Sequence, residues 1–369
     1  MEFGKQKIKA GRFNRTFRLM KILQVIDTLK IGGAERISVM LSNLLFKNNI
    51  EVAILILVED GDLVGELNPK IPIFRLNRKR RFDIQKMKEF AKIINDFDII
   101  HTHLKHNFRY TRIVSNRFGK NKSKIIFHDH SHTFLANKLT VKYYKDLLLK
   151  NIIRPHYYIG VSEENCDWGN QYLGVKKEHC YLLENTIEEV QIENKEVFRS
   201  GIVMVSNISP IKNIEFALNL LEEVEESLTI YGRVIYVDYF EQLKEIINEK
   251  GLQDRVVFIH NCTNIQQELP AYKFALHTSL KETGPLVLIE YLAQKVPFLS
   301  YQTGQVYQMI GKELPMFFID TFNQLDWISK IKDLSLVKAS KMEEVYTENF
   351  NSETYLKKCL NIYQKIENS

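Results

Sequence analysis

The sequence predicts an α/β protein that is built from two doubly wound domains. Short apolar strand candidates alternate with amphipathic helix candidates along most of the chain, and this alternation predicts mainly parallel sheets. A length of 369 residues is enough for two separate cores. A polar, charge-rich segment at 188–200 precedes a new strand candidate, GIVMVSNIS, which marks the start of the second domain.

The composition excludes several classes of protein. The chain is 45% hydrophobic and 26% charged, and it has no apolar run near the roughly 20 residues that a membrane-spanning helix needs. Nothing in it resembles a secretory signal. The four cysteines lack the paired spacing of a metal site, so we expect a protein of the reducing cytoplasm. These cysteines are Cys166, Cys180, Cys262 and Cys359.

The formal net charge of +6 is concentrated at the N-terminus. Residues 1–19 contain six Lys or Arg and one Glu, a net charge of +5, so the rest of the chain is nearly neutral. We interpret 1–19 as a basic arm, either a disordered extension or a non-native leader, because the strand candidate KILQVI begins only after Met20. A nearly neutral body does not favour nucleic-acid binding, which needs a basic face on the folded domain.

A second basic cluster lies inside the first domain and consists of Arg78, Lys79, Arg80 and Arg81. Such a cluster attracts anionic lipid head groups at about 1 kcal/mol per charge. It is equally typical of a solvated loop. The sequence therefore allows, in addition to a cytoplasmic location, a peripheral contact with an anionic membrane.

The first domain opens with a strand, a glycine-rich loop and a helix. The strand KILQVI is followed by the loop DTLKIGGAER and then by a helix with apolar residues at helical spacing. This order is typical of doubly wound domains, in which ligands bind at the carboxyl ends of the strands. The loop contains Gly32 and Gly33 but no G-x-G-x-x-G sequence, so a nicotinamide cofactor is not expected.

Six of the ten histidines lie between residues 101 and 132. The two-residue period of a strand places His101 with His103, and His128 with His130, on common faces of two strand candidates. Imidazole is a common metal ligand, so one interpretation is a metal site. The carboxylate-rich spacings of metal hydrolases are missing, however, and Asp129 would face the other way. The second interpretation is a set of hydrogen-bonded residues at strand ends.

The stretch 274–304 carries the strongest indication of a ligand site. It predicts a buried strand, a loop with Glu282 and Gly284, and an apolar helix that contains Glu290. The free N–H groups at the start of a helix bind anions, and carboxylates accept hydrogen bonds from hydroxyls. A ligand with a phosphate at one end and vicinal hydroxyls at the other fits this arrangement, and a nucleotide sugar has both.

These motifs resemble the retaining GT-B glycosyltransferases of family 4. The resemblance extends from Met20 onwards and implies two Rossmann-like domains that face each other across a cleft. It places the first domain at 20–190, the second at 200–350, and a C-terminal helix at 351–369 that crosses back to the first domain. The matching elements are GGAE at 32–35, the strand-end histidines, ENTI at 184–187 before the linker, Lys212 with Asn213, and Glu282 with Glu290 in an E-x7-E spacing.

The resemblance also implies roles for individual residues. Lys212 would hold the donor diphosphate, Glu290 the ribose hydroxyls, and Glu282 the donor sugar. The candidate catalytic residues are His128, His130, Glu282 and Lys212, and His101 and His103 lie on the acceptor side. The candidate donor-binding residues are Gly32, Gly33, Asn207, Lys212, Arg233, Gly284, Pro285, Leu286, Val287 and Glu290.

One position departs from the family pattern. The family has an Arg shortly before the Lys-Asn pair, whereas this chain has Asn207. Loss of one of two charges on a diphosphate costs a few kcal/mol if nothing replaces it. Arg233, one strand further on, is either the replacement or an exposed loop residue. The loop that contacts the nucleotide base in relatives starts with Gly, but here with His260, so the base stays open.

The expected function is transfer of a hexose, with retention, from a UDP-sugar or GDP-sugar. The acceptor would be a glycan or a lipid-linked intermediate of a bacterial envelope polysaccharide. The resemblance implies no cofactor and no metal, because cations and helix dipoles neutralise the leaving diphosphate. A nucleotide-sugar binding protein without transferase activity is the alternative, and Asn207 is the feature that motivates it. The expected location is the cytoplasm, with peripheral contact at the inner face of the membrane.

Overall fold

The computed structural model describes residues 20–80, 82–120, 123–130, 154–192 and 198–369. The predicted basic arm at 1–19 lies outside the described residues. The described chain forms two separate parallel sheets with helices packed against them, so the predicted α/β fold class is confirmed. No helix within these ranges is both long and apolar enough to cross a membrane.

The first sheet has seven strands, and every neighbouring pair is parallel. The strands are β1 (Lys21–Thr28), β2 (Glu51–Glu59), β3 (Ile73–Arg75), β4 (Ile99–His103), β5 (Lys124–Asp129), β6 (Tyr157–Gly160) and β7 (Cys180–Leu182). Their spatial order is β3-β2-β1-β4-β5-β6-β7. The order reverses direction between β1 and β4, and ligands of doubly wound sheets bind at the carboxyl ends of such strands.

The helices in the described residues of the first domain are α1 (Gly33–Lys47), α2 (Ile84–Ile94), α3 (Lys105–Phe118) and α4 (Glu163–Gln171). Side-chain caps start two of them, because Asp83 accepts from the N–H of Lys86 and Ser162 from that of Asn165. Helix α1 instead begins after Gly32, with no side-chain cap. Its first N–H groups therefore stay available to a ligand.

The second sheet has six strands, again parallel throughout. They are β8 (Ile202–Val205), β9 (Leu228–Tyr231), β10 (Val256–Ile259), β11 (Phe274–His277), β12 (Phe298–Tyr301) and β13 (Phe318–Ile319). Their spatial order is β10-β9-β8-β11-β12-β13. The helices around this sheet are α5 (Ile214–Leu220), α6 (Val237–Glu249), α7 (Ile265–Glu268), α8 (Leu286–Ala293), α9 (Gly304–Ile310), α10 (Gln324–Asp333) and α11 (Ala339–Asn349).

The last helix, α12 (Ser352–Glu367), returns to the first domain as predicted. Its apolar stripe is buried in the same cluster as the first residues of β1 and the inner face of α1. Tyr363 of this stripe is fully buried and its hydroxyl lies 2.6 Å from Nδ1 of His101. The helix therefore ties the end of the chain to the strand that carries the first two cleft histidines.

Candidate active site

A cleft with a volume of about 620 Å³ lies between the two domains. This volume is in the range of small-molecule sites. The first domain contributes loops that follow β1, β4, β5 and β7, and the second contributes loops that follow β8, β9, β10 and β11. All these loops leave the carboxyl ends of parallel strands, so the two sheets present their ligand-binding edges to one another.

The second-domain wall is centred on the start of α8. The four residues 284–287 line the cleft, and Pro285 occupies the N-cap position without a side-chain cap. Free N–H groups and the positive end of the helix dipole therefore face the cleft. The amide of Asn185, in the first domain, donates to the carbonyl of Gly284 at 2.7 Å, which fixes this loop across the cleft.

Gly304 packs closely against the same loop. Its φ of +78° lies in the left-handed region, where side chains are unfavourable. A Cβ at this position would also lie only 3.0 Å from Cβ of Glu282 and 3.1 Å from Cδ of Pro285. Glycine at 304 therefore allows the start of α9 to pack directly against the loop that carries Glu282.

Lys212 and Glu282 form an ion pair inside the cleft. Their side chains are 20% and 7% exposed, and Oε1 of Glu282 also lies 3.2 Å from Nε2 of His277. A carboxylate only accepts hydrogen bonds, so His277 donates from Nε2. Glu282 thus has two donors in the free protein, and an incoming phosphate would compete with it for Lys212.

Asn207 and Arg233 are neighbours because β8 and β9 are adjacent strands. The N–H of Arg233 donates to Oδ1 of Asn207 at 3.3 Å, and both residues line the cleft with Lys212. A Cβ at Gly232 would lie 2.0 Å from the carbonyl oxygen of Ser206, so only glycine allows this close approach. The Nε atom of Arg233 is buried and has no hydrogen-bond partner in the described ranges. An unsatisfied buried donor needs an explanation, and an anionic ligand in the cleft would be one.

Glu290 lies in α8 and is 4% exposed. Burial raises the pKa of its carboxyl group, and the nearby Arg36 partly opposes this effect. Arg36 belongs to the first domain, and its Nη2 donates to the carbonyl of Thr263 in the second domain at 2.5 Å. The sequence analysis did not include Arg36 in the site, although it directly follows the GGAE loop.

On the first-domain wall, Gly32, Gly33 and Glu35 line the cleft at the start of α1. Burial raises the pKa of Glu35, and the charge of Arg233 lowers it in part. Arg233 thus lies near a carboxylate of the opposite domain as well as near Lys212. The charge of Arg233 therefore acts across the cleft on a carboxylate in the first turn of α1.

The four predicted histidines form one cluster behind and beside this wall. His101, His103 and His128 are fully buried, and only His130 reaches the cleft itself. Neighbouring rings in the cluster are 4.0 to 5.4 Å apart between centroids. They come together because β4 and β5 are adjacent and in register, with His103 paired to His128.

Gln24 and Tyr363 fix the tautomers of these histidines. Oε1 of Gln24 lies 2.7 Å from Nε2 of His103, which must therefore carry a hydrogen. Nδ1 of His103 then accepts from Nε2 of His130 at 3.0 Å. This leaves Nδ1 of His130 unprotonated and buried, with no hydrogen-bond partner in the part of the chain that the structure describes. The residue that reaches the cleft is thus a hydrogen-bond acceptor.

The other half of the network starts at Tyr363. Its hydroxyl accepts from Nε2 of Gln24 at 3.4 Å and donates to Nδ1 of His101 at 2.6 Å. Nε2 of His101 in turn donates to Nδ1 of His128 at 2.9 Å. Nε2 of His128 therefore keeps a hydrogen that has no partner.

Burial keeps the cluster neutral. It lowers the pKa of His101 and of His130 to about 3, and that of His103 and His128 well below the ordinary value. Among the described residues, His101, His103 and His128 also have ring nitrogens within 4.8 Å of one another, a spacing that a metal ion can use. Metal ligation there would have to replace hydrogen bonds of the network, because both ring nitrogens of His101 and both of His103 are already hydrogen-bonded. The geometry therefore favours the hydrogen-bonded interpretation.

The structure brings the ten predicted donor-binding residues to one cleft, and all of them line it. Of the four predicted histidines, only His130 does so, and the other three lie behind it. Arg81 of the basic cluster at 78–81 lies outside the described residues, and only two of the other three residues are exposed. Arg78 pairs with Asp27 at 3.2 Å and lies over the ring of Tyr110, whereas Lys79 and Arg80 are exposed.

Two parallel-sheet domains that face each other across such a cleft define a GT-B protein. The family profile described as Glycosyltransferase Family 4 matches residues 31–190, and the profile described as Glycosyl transferases group 1 matches residues 185–351. The two matches together span the loops that form both walls of the cleft. The chain therefore belongs to these glycosyltransferases, and its activity is sugar transfer.

Solved structures show the same fold. HepE from Anabaena in complex with UDP-glucose is 16% identical, with a TM-score of 0.77 over 95% of this chain and 100% of that one. A TarM variant from S. aureus in complex with fondaparinux, α-GlcNAc-glycerol and UDP is 14% identical, with a TM-score of 0.73 over 93% and 99%. The lipopolysaccharide outer core galactosyltransferase WaaB is 16% identical, with a TM-score of 0.65 over 93% and 99%. The comparison with curated proteins gave no match.

Proposed function

We propose that this glycosyltransferase moves a hexose from a UDP-sugar to a glycan or lipid-linked acceptor, with retention and without a metal ion. The observation that carries the proposal is the charge distribution of the cleft. Lys212, the partner-free Nε of Arg233 and the start of α8 give the second-domain wall three positive features. Glu290, a carboxylate, lies one to two turns into the same helix.

These features match the parts of a nucleotide sugar. Lys212, Arg233 and the N–H groups of α8 bind the diphosphate and stabilise its negative charge as the sugar leaves. Glu290 accepts hydrogen bonds from the ribose hydroxyls. When the phosphate draws Lys212 away, Glu282 accepts a hydrogen bond from the donor sugar in place of the one from Lys212. The cations and the helix dipole supply the positive charge that a metal ion supplies in other transferases.

The sugar itself faces the histidine wall. His130 accepts a hydrogen bond at Nδ1 from a sugar or acceptor hydroxyl, because Gln24 and His103 hold its hydrogen on Nε2. Retention is supported by the family resemblance. UDP is the preferred nucleotide because the similar HepE structure contains UDP-glucose, and GDP is the second candidate.

The acceptor is supported by two observations of different kind. The similar WaaB and TarM structures are of a lipopolysaccharide galactosyltransferase and of an enzyme with a glycan and α-GlcNAc-glycerol bound. In this chain, Lys79 and Arg80 leave two exposed cations on the first domain. We therefore place the acceptor among glycans and lipid-linked glycans, with the enzyme at the inner face of the membrane.

Calorimetric titration with UDP, GDP, ADP and their common sugar conjugates, with and without EDTA, tests the donor. A ligand that binds only the folded state also raises the melting temperature, which gives a second readout. We expect UDP and one UDP-hexose to bind, and we expect the affinity of each to be the same with EDTA as without it. Slow release of UDP from that hexose conjugate without acceptor indicates turnover, whereas binding without release would favour a non-catalytic role.

Two results would contradict the proposal. Binding that disappears with EDTA would require a metal ion, and no response to any nucleotide would remove the assignment of the second-domain wall. Retention is tested by NMR of the product, where the anomeric proton must keep the coupling of the donor. Inverted configuration would leave the donor site intact but refute the mechanism.

A further inference from the structure

A second cavity, the basic pocket, has a volume of about 310 Å³ and lies in the first domain. The described residues that line it are Arg112, Arg154, Pro155, His156, Lys176 and His179. Five of these six are cations or imidazoles, and none is acidic. The function proposed above uses none of them.

The basic pocket lies at the sheet edge opposite the donor cleft. His156 immediately precedes β6, and His179 immediately precedes β7, so both residues are at the amino ends of strands. The cleft loops instead follow the carboxyl ends of the same parallel sheet. A ligand in the basic pocket is therefore separate from a ligand in the cleft.

Arg112 is the residue that most directly indicates a ligand site. Its Nε atom is buried and has no hydrogen-bond partner among the described residues. Burial also lowers the pKa of its guanidinium group, because water is partly excluded around the charge. A buried guanidinium nitrogen without an acceptor is costly in the free protein. An anion in the pocket would supply that acceptor.

The charges around His156 also indicate that the pocket binds an anion. Its ring lies 4.4 Å from that of His179, measured between centroids. Burial lowers the pKa of His156, and His179, Lys124, Arg112 and Lys176 lower it further. The pocket thus concentrates positive charge. Within the described part of the chain, Lys176 is the lining residue with an ion pair, at 3.7 Å from Oε1 of Glu178.

We propose that the basic pocket binds a phosphate group of a ligand other than the nucleotide-sugar donor. Two guanidinium groups offer paired donors to phosphate oxygens, and Lys176 adds a point charge. The volume is larger than one phosphate needs, and a diphosphate or a phosphodiester with its first substituent fits. The proposal does not depend on which sugar or acceptor the cleft takes.

Two sources can supply this chemistry, a soluble phosphate compound or a phospholipid head group. Pyrophosphate represents the first, and vesicles of phosphatidylglycerol represent the second, with phosphatidylcholine vesicles as the neutral reference. All measurements use the full chain with saturating UDP. UDP occupies the donor cleft, so binding of pyrophosphate in the cleft does not contribute to the signal.

The main test is calorimetric titration of pyrophosphate into the UDP-bound protein. We expect one binding site, and at least about tenfold weaker binding in the double variant Arg112→Gln with Arg154→Gln, since each charged contact is worth about 1.5 kcal/mol or more. The matched control is Lys88→Gln with Lys92→Gln, which removes two exposed charges from α2 of the same domain. The control should bind pyrophosphate like the parent.

Unchanged pyrophosphate affinity in the Arg112 and Arg154 double variant would overturn the proposal, and so would the same loss in the control. An NMR titration of the parent tests the proposal without any substitution, in case the double variant does not fold. Pyrophosphate should shift the ring signals of His156 and His179 and leave that of His277 unchanged. Absence of these shifts overturns the proposal independently of any substitution.

Sedimentation with vesicles then identifies the source. If the parent and the control bind phosphatidylglycerol vesicles and the double variant does not, the ligand is a lipid head group. If pyrophosphate binds as expected but the three proteins bind vesicles equally, the pocket takes a soluble phosphate. Failure of the pyrophosphate arm refutes the basic pocket as a phosphate site whatever the vesicles show, whereas UDP binding, measured in the same samples, reports separately on the donor cleft.

Discussion

The two walls of the cleft use opposite chemistry. The second-domain wall is charged, with Lys212 paired to Glu282 and with Arg233 beside them. The first-domain wall is backed by neutral imidazoles that are joined by hydrogen bonds to Gln24 and Tyr363. In the function proposed above, the charged wall holds and releases the diphosphate, and the neutral donors and acceptors orient the sugar hydroxyls.

This difference determines how each wall responds to pH. His101 and His130 have a pKa of about 3, so the histidine wall keeps its protonation state from neutral to mildly acidic pH. Glu290, on the charged wall, has a raised pKa and gains a proton as the pH falls. A pH effect on donor binding should therefore come from the carboxyl groups whose pKa burial raises, Glu290 in the second domain and Glu35 in the first, and not from the histidines. Each substitution below tests one wall against the other.

The largest effect is expected from Lys212→Met, which keeps the length of the side chain and removes its charge. Loss of one preorganised donor to the leaving group typically costs about 10²- to 10³-fold in kcat. Steady-state kinetics with the UDP-hexose donor measure this fall. Lys244→Met, at an exposed ion pair with Glu241, is the control and should leave kcat unchanged. Equal kcat for Lys212→Met and the control would mean that the diphosphate binds in another part of the cleft.

Arg233→Ala comes next, with an expected loss in kcat/KM of about tenfold to a hundredfold, the value of a charge-assisted hydrogen bond. Asn207 contacts the backbone of Arg233, so an arginine at 207 can reach the same phosphate. Asn207→Arg should therefore restore most of the activity to Arg233→Ala. The same change in the parent should have little effect, because two adjacent guanidinium groups repel each other.

A failure of this rescue would be informative. If Arg233→Ala is nearly silent, Arg233 is a loop residue and the lost family arginine has no replacement. If Arg233→Ala is damaging but Asn207→Arg does not help, the two positions reach different atoms of the donor. Only recovery of activity in the double variant supports the hypothesis that Arg233 replaces the family arginine that is absent at position 207.

Glu290→Gln should weaken UDP-glucose binding by about tenfold, since a charged acceptor becomes a neutral one. The parent should also bind more weakly as the pH falls from about 8 to about 5, because Glu290 is protonated through its raised pKa. The Gln variant should lack this contribution to the pH dependence. UDP-glucose is used because its two phosphates are esterified and do not titrate in this range.

The same substitution should stabilise the free protein. A carboxyl group whose folded pKa is raised binds protons more tightly in the folded state, so its contribution to stability falls as the pH rises above the unfolded value. Glu290→Gln removes this cost, and its melting temperature at neutral pH should exceed that of the parent. A lower melting temperature together with unchanged affinity would make Glu290 a structural residue.

Much of the fold was predictable because the strands are apolar and the helices amphipathic. Most of the strands, the parallel sheets and the return of the last helix followed from local periodicity and from the family resemblance, whereas the spatial order of the strands was not predicted. The strands β7 and β12 were not identified. Each has at most four residues, and β12 follows an apolar helix directly, so periodicity does not distinguish them.

The site was predictable where a motif is local and not where it depends on distant contacts. Glu282 and Glu290 are eight residues apart, and their spacing with the glycines indicated a ligand site. Arg36 contacts Thr263, and Tyr363 contacts His101, at separations of 227 and 262 residues. No local pattern connects such pairs. The position of Arg36 next to GGAE is the one signal that pointed to it.

The smallest effect is expected on the histidine wall, from Gln24→Met. Methionine has nearly the same volume but offers no strong acceptor, so Nε2–H of His103 loses its partner and the tautomer of His130 is no longer fixed. We expect stability to fall by about 1–3 kcal/mol, as for an unsatisfied buried donor. Turnover should fall several-fold, while the affinity for UDP stays that of the parent.

Nitrogen chemical shifts of the histidine rings decide whether Gln24 acts by positioning. In the parent, Nδ1 of His130 should give the shift of an unprotonated nitrogen, and in Gln24→Met a mixture of tautomers should appear. Gln24→Glu keeps an acceptor for His103 and should preserve the parent tautomer. If turnover falls equally in both variants although their tautomers differ, Gln24 serves packing alone, and the neutral wall would not need a fixed hydrogen on His130.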